Sequence, residues 1–224
     1  MSTKITRQSI ISVSKSSLAQ LTYNELRESI ITNAIHPGDI LSEQGIAKQL
    51  NISRTPVHEA LMLLEKDGLV QIRRGVGAFV TPLSHQDIKH IQEVRMLLEL
   101  EAVRCALGNI TESDLREMRE VVSRLQNRLN AGEELSPQEC FKMDFDFHGT
   151  IIARCDNPYV RQFLDTIHSN IRRLQVLSFN RQYSLESFIS QHLSLLDVIE
   201  TRDVDVVESA YREHLITSYK NIEH

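Results

Sequence analysis

Residues 41–79 read LSEQGIAKQLNISRTPVHEALMLLEKDGLVQIRRGVGAF, and this stretch decides the fold of the N-terminal part of the chain. Asn51 interrupts a short amphipathic helix. Pro56 has no N–H to donate and a fixed φ, so it fits only the first turn of a second helix, which we expect to start near Thr55. Gly68 ends that helix. The apolar residues of this second helix recur on one face, at Val57, Ala60, Leu61 and Leu64.

A basic turn follows, between two short apolar runs. Arg73, Arg74 and Gly75 lie between Val70 and Phe79, and this pattern predicts a β-hairpin with a glycine in its turn. Two helices joined by a tight turn and followed by a basic hairpin predict a winged helix-turn-helix, whose second helix enters the major groove of DNA. A helical hairpin that packs only internally is the alternative, but packing does not explain two arginines at an exposed turn.

These residues resemble the GntR family. Its N-terminal domain has the pattern PG-x-x-L-S/T-E, LA-x-x-L, VSRTPVREAL and GLV, and the resemblance spans residues 23–80. It implies that the start of the recognition helix contacts bases and phosphates and that a glycine-tipped wing enters the minor groove. Gln44 and His58 stand where many members have arginine; histidine makes one contact where arginine makes a bidentate one with guanine. The expected DNA-binding residues are Arg54, Thr55, His58, Gln44, Arg73, Arg74 and Gly75.

The charge of the chain differs between its two parts. Residues 1–80 carry 9 Lys/Arg and 7 Asp/Glu, whereas the remainder is acidic and brings the net charge of the 224 residues to -5. A weakly basic DNA-binding part beside an acidic second domain fits a DNA-binding protein, although so small a net charge also suits many enzymes.

The 3 cysteines show no C-x-x-C spacing, so we expect small core residues in a reducing cytosol and neither a disulfide framework nor a thiolate zinc site. No apolar run approaches the roughly 18 residues needed to span a membrane, and no signal peptide is apparent. We therefore expect a cytoplasmic protein without membrane contact, associated with the nucleoid when it is bound to its operator.

Three segments are predicted. Residues 1–20 are rich in Ser, Thr and Lys with little periodicity, and we expect a flexible arm there. Residues 21–82 form the winged helix-turn-helix, with a first helix over about residues 22–34. After Pro82, residues 83–224 are predicted to be helical to the end. Capping patterns divide this part into an all-α bundle of six antiparallel helices, opening near Ser84, Thr111, Ser136, Asn157, Ser184 and Asp203.

Four polar residues fall on helix faces that should be apolar. Asp144 and His148 lie one turn apart on the inward stripe of one helix, and His192 and His214 lie on the inward stripes of the last two. Buried ionisable groups are costly unless they are paired or bound to a metal. Any one of these histidines alone fits a hydrogen-bonded core residue. One carboxylate and three imidazoles on matching faces instead suit a divalent transition metal such as Zn²⁺ or Ni²⁺.

The C-terminal half resembles the FCD ligand-binding domain of FadR-type GntR regulators, and its six-helix count resembles the VanR-like group. DFDFHGTIIARCDN, QHLSLLDVIETRD and YREHL are similar to the domain's D-x-x-x-H, EH-x-x-L and final H-L motifs. The resemblance implies that Asp144, His148, His192 and His214 bind a metal that ligates a small carboxylate effector. Arg95, in EVRMLLE, matches an arginine that faces the effector pocket. A structural ion pair is the alternative role for Arg95.

We therefore expect a homodimeric transcriptional regulator, a repressor, that binds a pseudo-palindromic double-stranded operator and is controlled by an organic acid at the metal. A metal-sensing or architectural DNA-binding protein without an organic effector is one alternative. A metalloenzyme that activates water is another, but no acid or base is placed like the Glu of H-E-x-x-H, so no catalytic residue is predicted.

Overall fold

The computed structural model describes residues 7–179 and 184–223, and the chain divides between Ser84 and His85 into two compact units. The N-terminal unit contains α1 (Arg7–Ile31), β1 (Ile40–Leu41), α2 (Glu43–Leu50), α3 (Arg54–Lys66), β2 (Val70–Arg73) and β3 (Gly77–Val80). The C-terminal unit contains α4 (His85–Ala106), α5 (Glu112–Asn130), α6 (Pro137–Arg154), α7 (Pro158–Phe179), α8 (Leu185–Glu200) and α9 (Val204–Glu223). The predicted fold class, a winged helix-turn-helix followed by a helical bundle, is confirmed.

The first helix begins earlier than the sequence predicted. α1 starts at Arg7 rather than near Thr22, so residues 7–20 of the expected flexible arm lie in a helix; residues 1–6 lie outside the described residues. The segment from Arg7 to Ile31 contains neither glycine nor proline, so nothing in it breaks a helix. Its apolar residues are irregularly spaced, and periodicity therefore did not reveal the early start of the helix.

The helix-turn-helix forms where the local sequence demands it. The Ser42 hydroxyl caps α2 by accepting a hydrogen bond from the Gly45 N–H at 3.3 Å, and Asn51 ends the helix in the left-handed conformation. α3 begins at Arg54 with Pro56 in its first turn, as predicted. Its apolar face is buried in the N-terminal core.

The wing is an antiparallel sheet with strand order β1-β3-β2. The β2–β3 hairpin matches the prediction, whereas β1 was not predicted because two residues are too few to show alternation. Gly75 has a φ of +77°, as a glycine in a tight hairpin turn allows. At Gly77, where φ is +134°, a Cβ would lie 3.1 Å from the Leu41 carbonyl oxygen, so a larger residue would be strained and would push β1 away from β3 by a few tenths of an ångström.

Capping residues fix where the helices of the C-terminal unit begin. Thr111 and Ser136 each form a complete capping box, with Asp114 and Glu139 respectively, as predicted. Ser184 caps α8, and the Asp203 carboxylate accepts backbone hydrogen bonds at the start of α9. One apolar cluster joins α4, α5, α6, α8 and α9, and a second, smaller cluster joins α4 to α6 and α7. Of the cysteines, Cys140 and Cys155 are buried, but Cys105 is only half-buried.

Candidate DNA-reading face and metal centre

The predicted DNA-contacting residues of the helix-turn-helix are exposed. Gln44 lies on α2, and Arg54, Thr55 and His58 lie in the first turns of α3. The side chain of Arg54 is 68% exposed. The opposite face of α3 consists of buried apolar side chains. The polar residues therefore face solvent, where the major groove of a DNA duplex could reach them.

Glu43, which sequence reasoning did not select, joins two of these residues. Its carboxylate accepts hydrogen bonds from Arg54 Nη2 at 3.1 Å and from His58 Nδ1 at 2.8 Å. The hydrogen bond from His58 is the main reason that the pKa of Glu43 lies below its ordinary value; burial opposes the shift, and Arg54 adds to it. The Glu43 carboxylate therefore orients both basic side chains. When DNA binds, each side chain either retains its hydrogen bond to Glu43 or replaces it with a contact to DNA.

The wing presents its arginines differently. The guanidinium of Arg73 lies 4.5 Å from the centre of the Phe79 ring, and its Nη2 donates to Gln71 Oε1 at 3.3 Å. Arg74 and Gly75 are exposed at the turn. Stacking on an aromatic ring restrains the Arg73 side chain, whereas Arg74 lies at the exposed tip of the hairpin.

In the C-terminal unit, the structure brings the four predicted metal ligands together. Asp144, His148, His192 and His214 are all buried, and one potential ligand atom from each lies within 4.8 Å of the others. Asp144 Oδ1 is 2.9 Å from His192 Nε2 and 3.7 Å from His148 Nε2. His148 Nε2 is 3.2 Å from His214 Nε2. Three helices, α6, α8 and α9, supply this cluster.

Hydrogen bonds on the outer side of the cluster assign the imidazole tautomers. His192 Nδ1 donates to the Phe188 carbonyl oxygen at 2.8 Å. His148 Nδ1 lies 2.6 Å from the Tyr211 hydroxyl oxygen and 3.0 Å from Glu99 Oε2, and because that hydroxyl donates to Glu99, His148 Nδ1 is the donor. In the neutral imidazoles, the Nε2 lone pairs therefore point towards the Asp144 carboxylate. Acceptors facing one another repel unless a proton or a cation lies between them. This is the arrangement in which outer partners orient histidines towards a metal.

A second buried carboxylate, Glu99 of α4, supports the cluster and was also missed by sequence reasoning. It accepts hydrogen bonds from Arg95 Nε at 2.6 Å and from the Tyr211 hydroxyl at 2.8 Å. Burial alone would raise the pKa of Glu99, but the charges of Arg95 and His148 outweigh it and hold that pKa well below its usual range. Glu99 therefore remains ionised between the histidine cluster and Arg95.

Two members of the cluster have shifted pKa values with different causes. Burial opposes ionisation of Asp144, but the charge of His148 and the hydrogen bond from His192 lower the pKa of this carboxyl well below its ordinary value. Burial, followed by the neighbouring imidazoles, lowers the pKa of His214 well below its ordinary value. No hydrogen bond to buried His214 Nδ1 is found within the described part of the chain. A neutral histidine and an ionised carboxylate are the protonation states that bind metals.

A cavity of about 350 Å³ opens beside the cluster. Arg95, Glu99 and His148 line one side of it, and α7 supplies Arg161 and Gln175 on the other. Arg95, the predicted effector-binding residue, is thus both a cavity residue and the buried partner of Glu99. Its five N–H donors exceed the one bond given to Glu99, so the structural and ligand-binding roles are compatible.

A winged helix-turn-helix followed by a helical bundle with a buried polar centre defines the class of protein: a two-domain DNA-binding regulator. Residues 18–80 match the family described as bacterial regulatory proteins, gntR family, and residues 90–217 match the FCD domain. The chain belongs to the GntR family of transcriptional regulators and carries an FCD domain. No described helix is long and apolar enough to cross a membrane.

Relatives and solved structures agree with this assignment. The HTH-type transcriptional repressor RspR of Escherichia coli K12 is 30% identical over 88% of this chain and 85% of its own length. The gluconate operon transcriptional repressor of Bacillus subtilis 168 is 26% identical over 85% of this chain and 79% of its own length. The structure of E. coli McbR/YncC shares the fold, with a TM-score of 0.78 at 22% identity over 92% of this chain and 97% of that one.

Proposed function

We propose that this chain is a transcriptional repressor whose affinity for its operator is controlled by a small organic acid bound at a metal-containing pocket. The observation that carries the proposal is the convergence of Asp144 and three histidines beside a cavity that also contains Arg95. The relatives named as repressors support the direction of regulation.

The first element of the proposal is a resident divalent transition metal. Three imidazoles and one carboxylate suit Zn²⁺ or Ni²⁺, and Asp144, His148, His192 and His214 would hold it. Such an ion supplies positive charge and coordination positions for an oxygen ligand. Glu99 orients His148, and the Phe188 carbonyl orients His192, so the imidazoles are held ready for the ion.

The second element is recognition of an anionic effector. Arg95 presents guanidinium donors to the cavity, and a guanidinium pairs well with a carboxylate. Apolar Ile152, Leu164 and Ile171 line the same cavity, which fits a small acid with an apolar part. Control of DNA binding requires that the acid has different affinities for the DNA-binding and the released forms of the protein.

The third element is a homodimer on a pseudo-palindromic operator, in which the symmetry of the protein matches that of the DNA. The exposed side of α4 carries Val94 and Leu97, and Leu97 is 73% exposed. An apolar helix face of this kind supports association between copies of the chain. Leu97→Asp is expected to shift the protein towards monomer in analytical ultracentrifugation, and an unchanged dimer would remove this face from the proposal.

Metal analysis tests the central element. Untagged protein purified without chelator is expected to contain about one transition metal per chain, and His192→Ala is expected to lose it. His90→Ala is the matched control, because His90 is an exposed histidine of α4 outside the cluster. Absence of metal from wild type even after addition of Zn²⁺ or Ni²⁺, or full occupancy in His192→Ala, would contradict the assignment.

An operator-binding assay tests the effector. Duplexes selected from random sequence supply the operator, and metal-loaded protein is titrated against it with a panel of small carboxylates. At least one acid is expected to weaken binding in wild type but not in Arg95→Met. Operator affinity that follows metal concentration and ignores every acid would instead favour a metal sensor without an organic effector.

A further inference from the structure

Two cysteines that lie far apart in the sequence meet in the C-terminal unit. Cys105 is near the end of α4, and Cys155 is the C-cap residue that directly follows α6. Their sulfur atoms and a carboxylate oxygen of Asp156 all lie within 4.8 Å of one another. The sequence showed no C-x-x-C spacing because the fold, rather than local spacing, brings these residues together.

A second carboxylate faces this thiol pair. The Cys105 thiol donates to Glu101 Oε1 at 3.3 Å, across one turn of α4. Burial, and after it the neighbouring Glu101 and Cys155, together raise the pKa of the Cys105 thiol to about 12. A thiol with so high a pKa is a poor nucleophile, which argues against a redox-reactive cysteine. A bound cation reverses this effect, because it stabilises the thiolate.

The backbone on both sides of the pair is held independently of the sulfurs. The Asn109 side-chain amide donates to the carbonyl oxygens of Cys105 at 3.3 Å and of Arg154 at 3.1 Å, so it ties α4 to the end of α6. Arg161 donates to the Cys155 carbonyl oxygen. Hydrogen bonds to the backbone therefore hold Cys105 and Cys155 near each other without any bond to their sulfur atoms.

We propose that Cys105, Cys155 and Asp156, with Glu101 beside them, bind a thiophilic divalent cation of the Zn²⁺ or Cd²⁺ class, at a site separate from the histidine cluster. Two S–H bonds break and two metal–sulfur bonds form, and both protons pass to water without any change of oxidation state. Zinc–sulfur bonds of about 2.3 Å place the sulfurs of a tetrahedral site about 3.8 Å apart, which is compatible with two sulfurs that lie within 4.8 Å of each other. Exposed Asp156 marks the side from which the ion enters.

Cd²⁺ is the probe for this site, because thiolate coordination gives a charge-transfer absorption in the near ultraviolet that histidine and carboxylate ligands do not give. Reduced wild-type protein is expected to develop this band on titration with Cd²⁺. Cys105→Ala and Cys155→Ala are expected to lose it, whereas Cys140→Ala is the matched control and should keep it, because Cys140 lies in the other apolar cluster. His192→Ala should also keep the band, which separates this site from the histidine cluster.

Exposed Asp156 provides a variant that leaves the core intact. Asp156→Asn is expected to weaken Cd²⁺ binding about tenfold or more, judged by the band. Circular dichroism confirms which variants are folded, and this variant decides the question if Cys155→Ala does not fold. No band in reduced wild type, or a band that persists in both cysteine variants, would overturn the proposal. So would an oxidised protein in which the two cysteines form a disulfide while the reduced protein binds no Cd²⁺.

Discussion

Replacement of Glu99 by glutamine tests the structural account of the C-terminal domain most directly. Glu99 is 1% exposed, and its carboxylate receives Arg95 Nε, the Tyr211 hydroxyl and His148 Nδ1. Glutamine keeps the volume and one acceptor oxygen. It removes the negative charge and places an N–H₂ group where a donor already points, so Arg95, 3% exposed, loses its main counter-charge.

The size of the effect follows from the burial of the pair. Breaking a buried ion pair by removing one partner costs about 3–5 kcal/mol, because the remaining charge is left uncompensated. The Asp144 carboxylate also attracts Arg95 and raises its pKa, although less than Glu99 does. We therefore expect Glu99→Gln to lower the free energy of unfolding of the C-terminal domain by about 3 kcal/mol, near the lower end of that range.

Native-state hydrogen exchange of amides in α4 and α9 measures this loss in the full chain, without interference from the N-terminal domain. Glu93→Gln is the matched control, because Glu93 lies on the same helix in an exposed pair with Lys89 at 3.9 Å and should change stability by less than about 1 kcal/mol. Arg95→Met combined with Glu99→Gln should be less destabilising than Glu99→Gln alone. A loss as small as that of the control, or additive effects in the double variant, would refute the reasoning.

The remaining predictions concern the exposed DNA-binding residues of the helix-turn-helix and the helix caps. Arg54→Ala should weaken operator binding by about 1–3 kcal/mol while the circular dichroism spectrum stays unchanged. If fluorescence anisotropy gives the variant the same operator affinity as wild type, Arg54 does not contact the operator. Glu43→Gln should strengthen binding to a scrambled duplex more than to the operator, because the substitution removes a negative charge beside Arg54 and His58. Fluorescence anisotropy with each duplex measures the two affinities. Thr111→Ala should cost about 1 kcal/mol in denaturant unfolding, through loss of the α5 cap. The pKa of Asp114 is lowered to about 2, first by the hydrogen bond from Arg154. Because the folded-state pKa is depressed, its stabilisation is present above the unfolded pKa of about 3.9 and is lost as pH falls towards 2. Asp114→Asn should flatten the stability curve in that acid range.

The caps and the inward faces of the helices could be predicted from sequence because they depend on local spacing. The capping boxes at Thr111 and Ser136 require only residues three positions apart. Asp144 and His148 lie one turn apart on a helix whose other inward residues are apolar, so their burial followed from periodicity alone. The early start of α1 did not follow, since its apolar residues show no regular stripe.

The two carboxylates that contact the candidate site residues could not be predicted from sequence, because their partners lie on other helices. Glu43 of α2 meets Arg54 and His58 of α3, and Glu99 of α4 meets His148 of α6. Neither contact has a sequence spacing that identifies it. An exposed helical position is also the ordinary place for a glutamate, and only the packed structure distinguishes Glu99 from its exposed neighbour Glu93.

The charges around the cavity connect the proposed metal to the proposed acid effector. Asp144 and Glu99 are held ionised, Arg95 contributes one positive charge, and His214 is kept neutral by burial. In the protonation state that binds a metal, in which every imidazole of the cluster is neutral, the two carboxylates outweigh Arg95 and repel an acid, so Arg95 alone does not make the pocket an anion site. A divalent ion on the histidine cluster makes the same pocket net positive. The metal therefore decides whether an acid can bind at all, and its removal should abolish the acid's effect on operator affinity rather than merely weaken it.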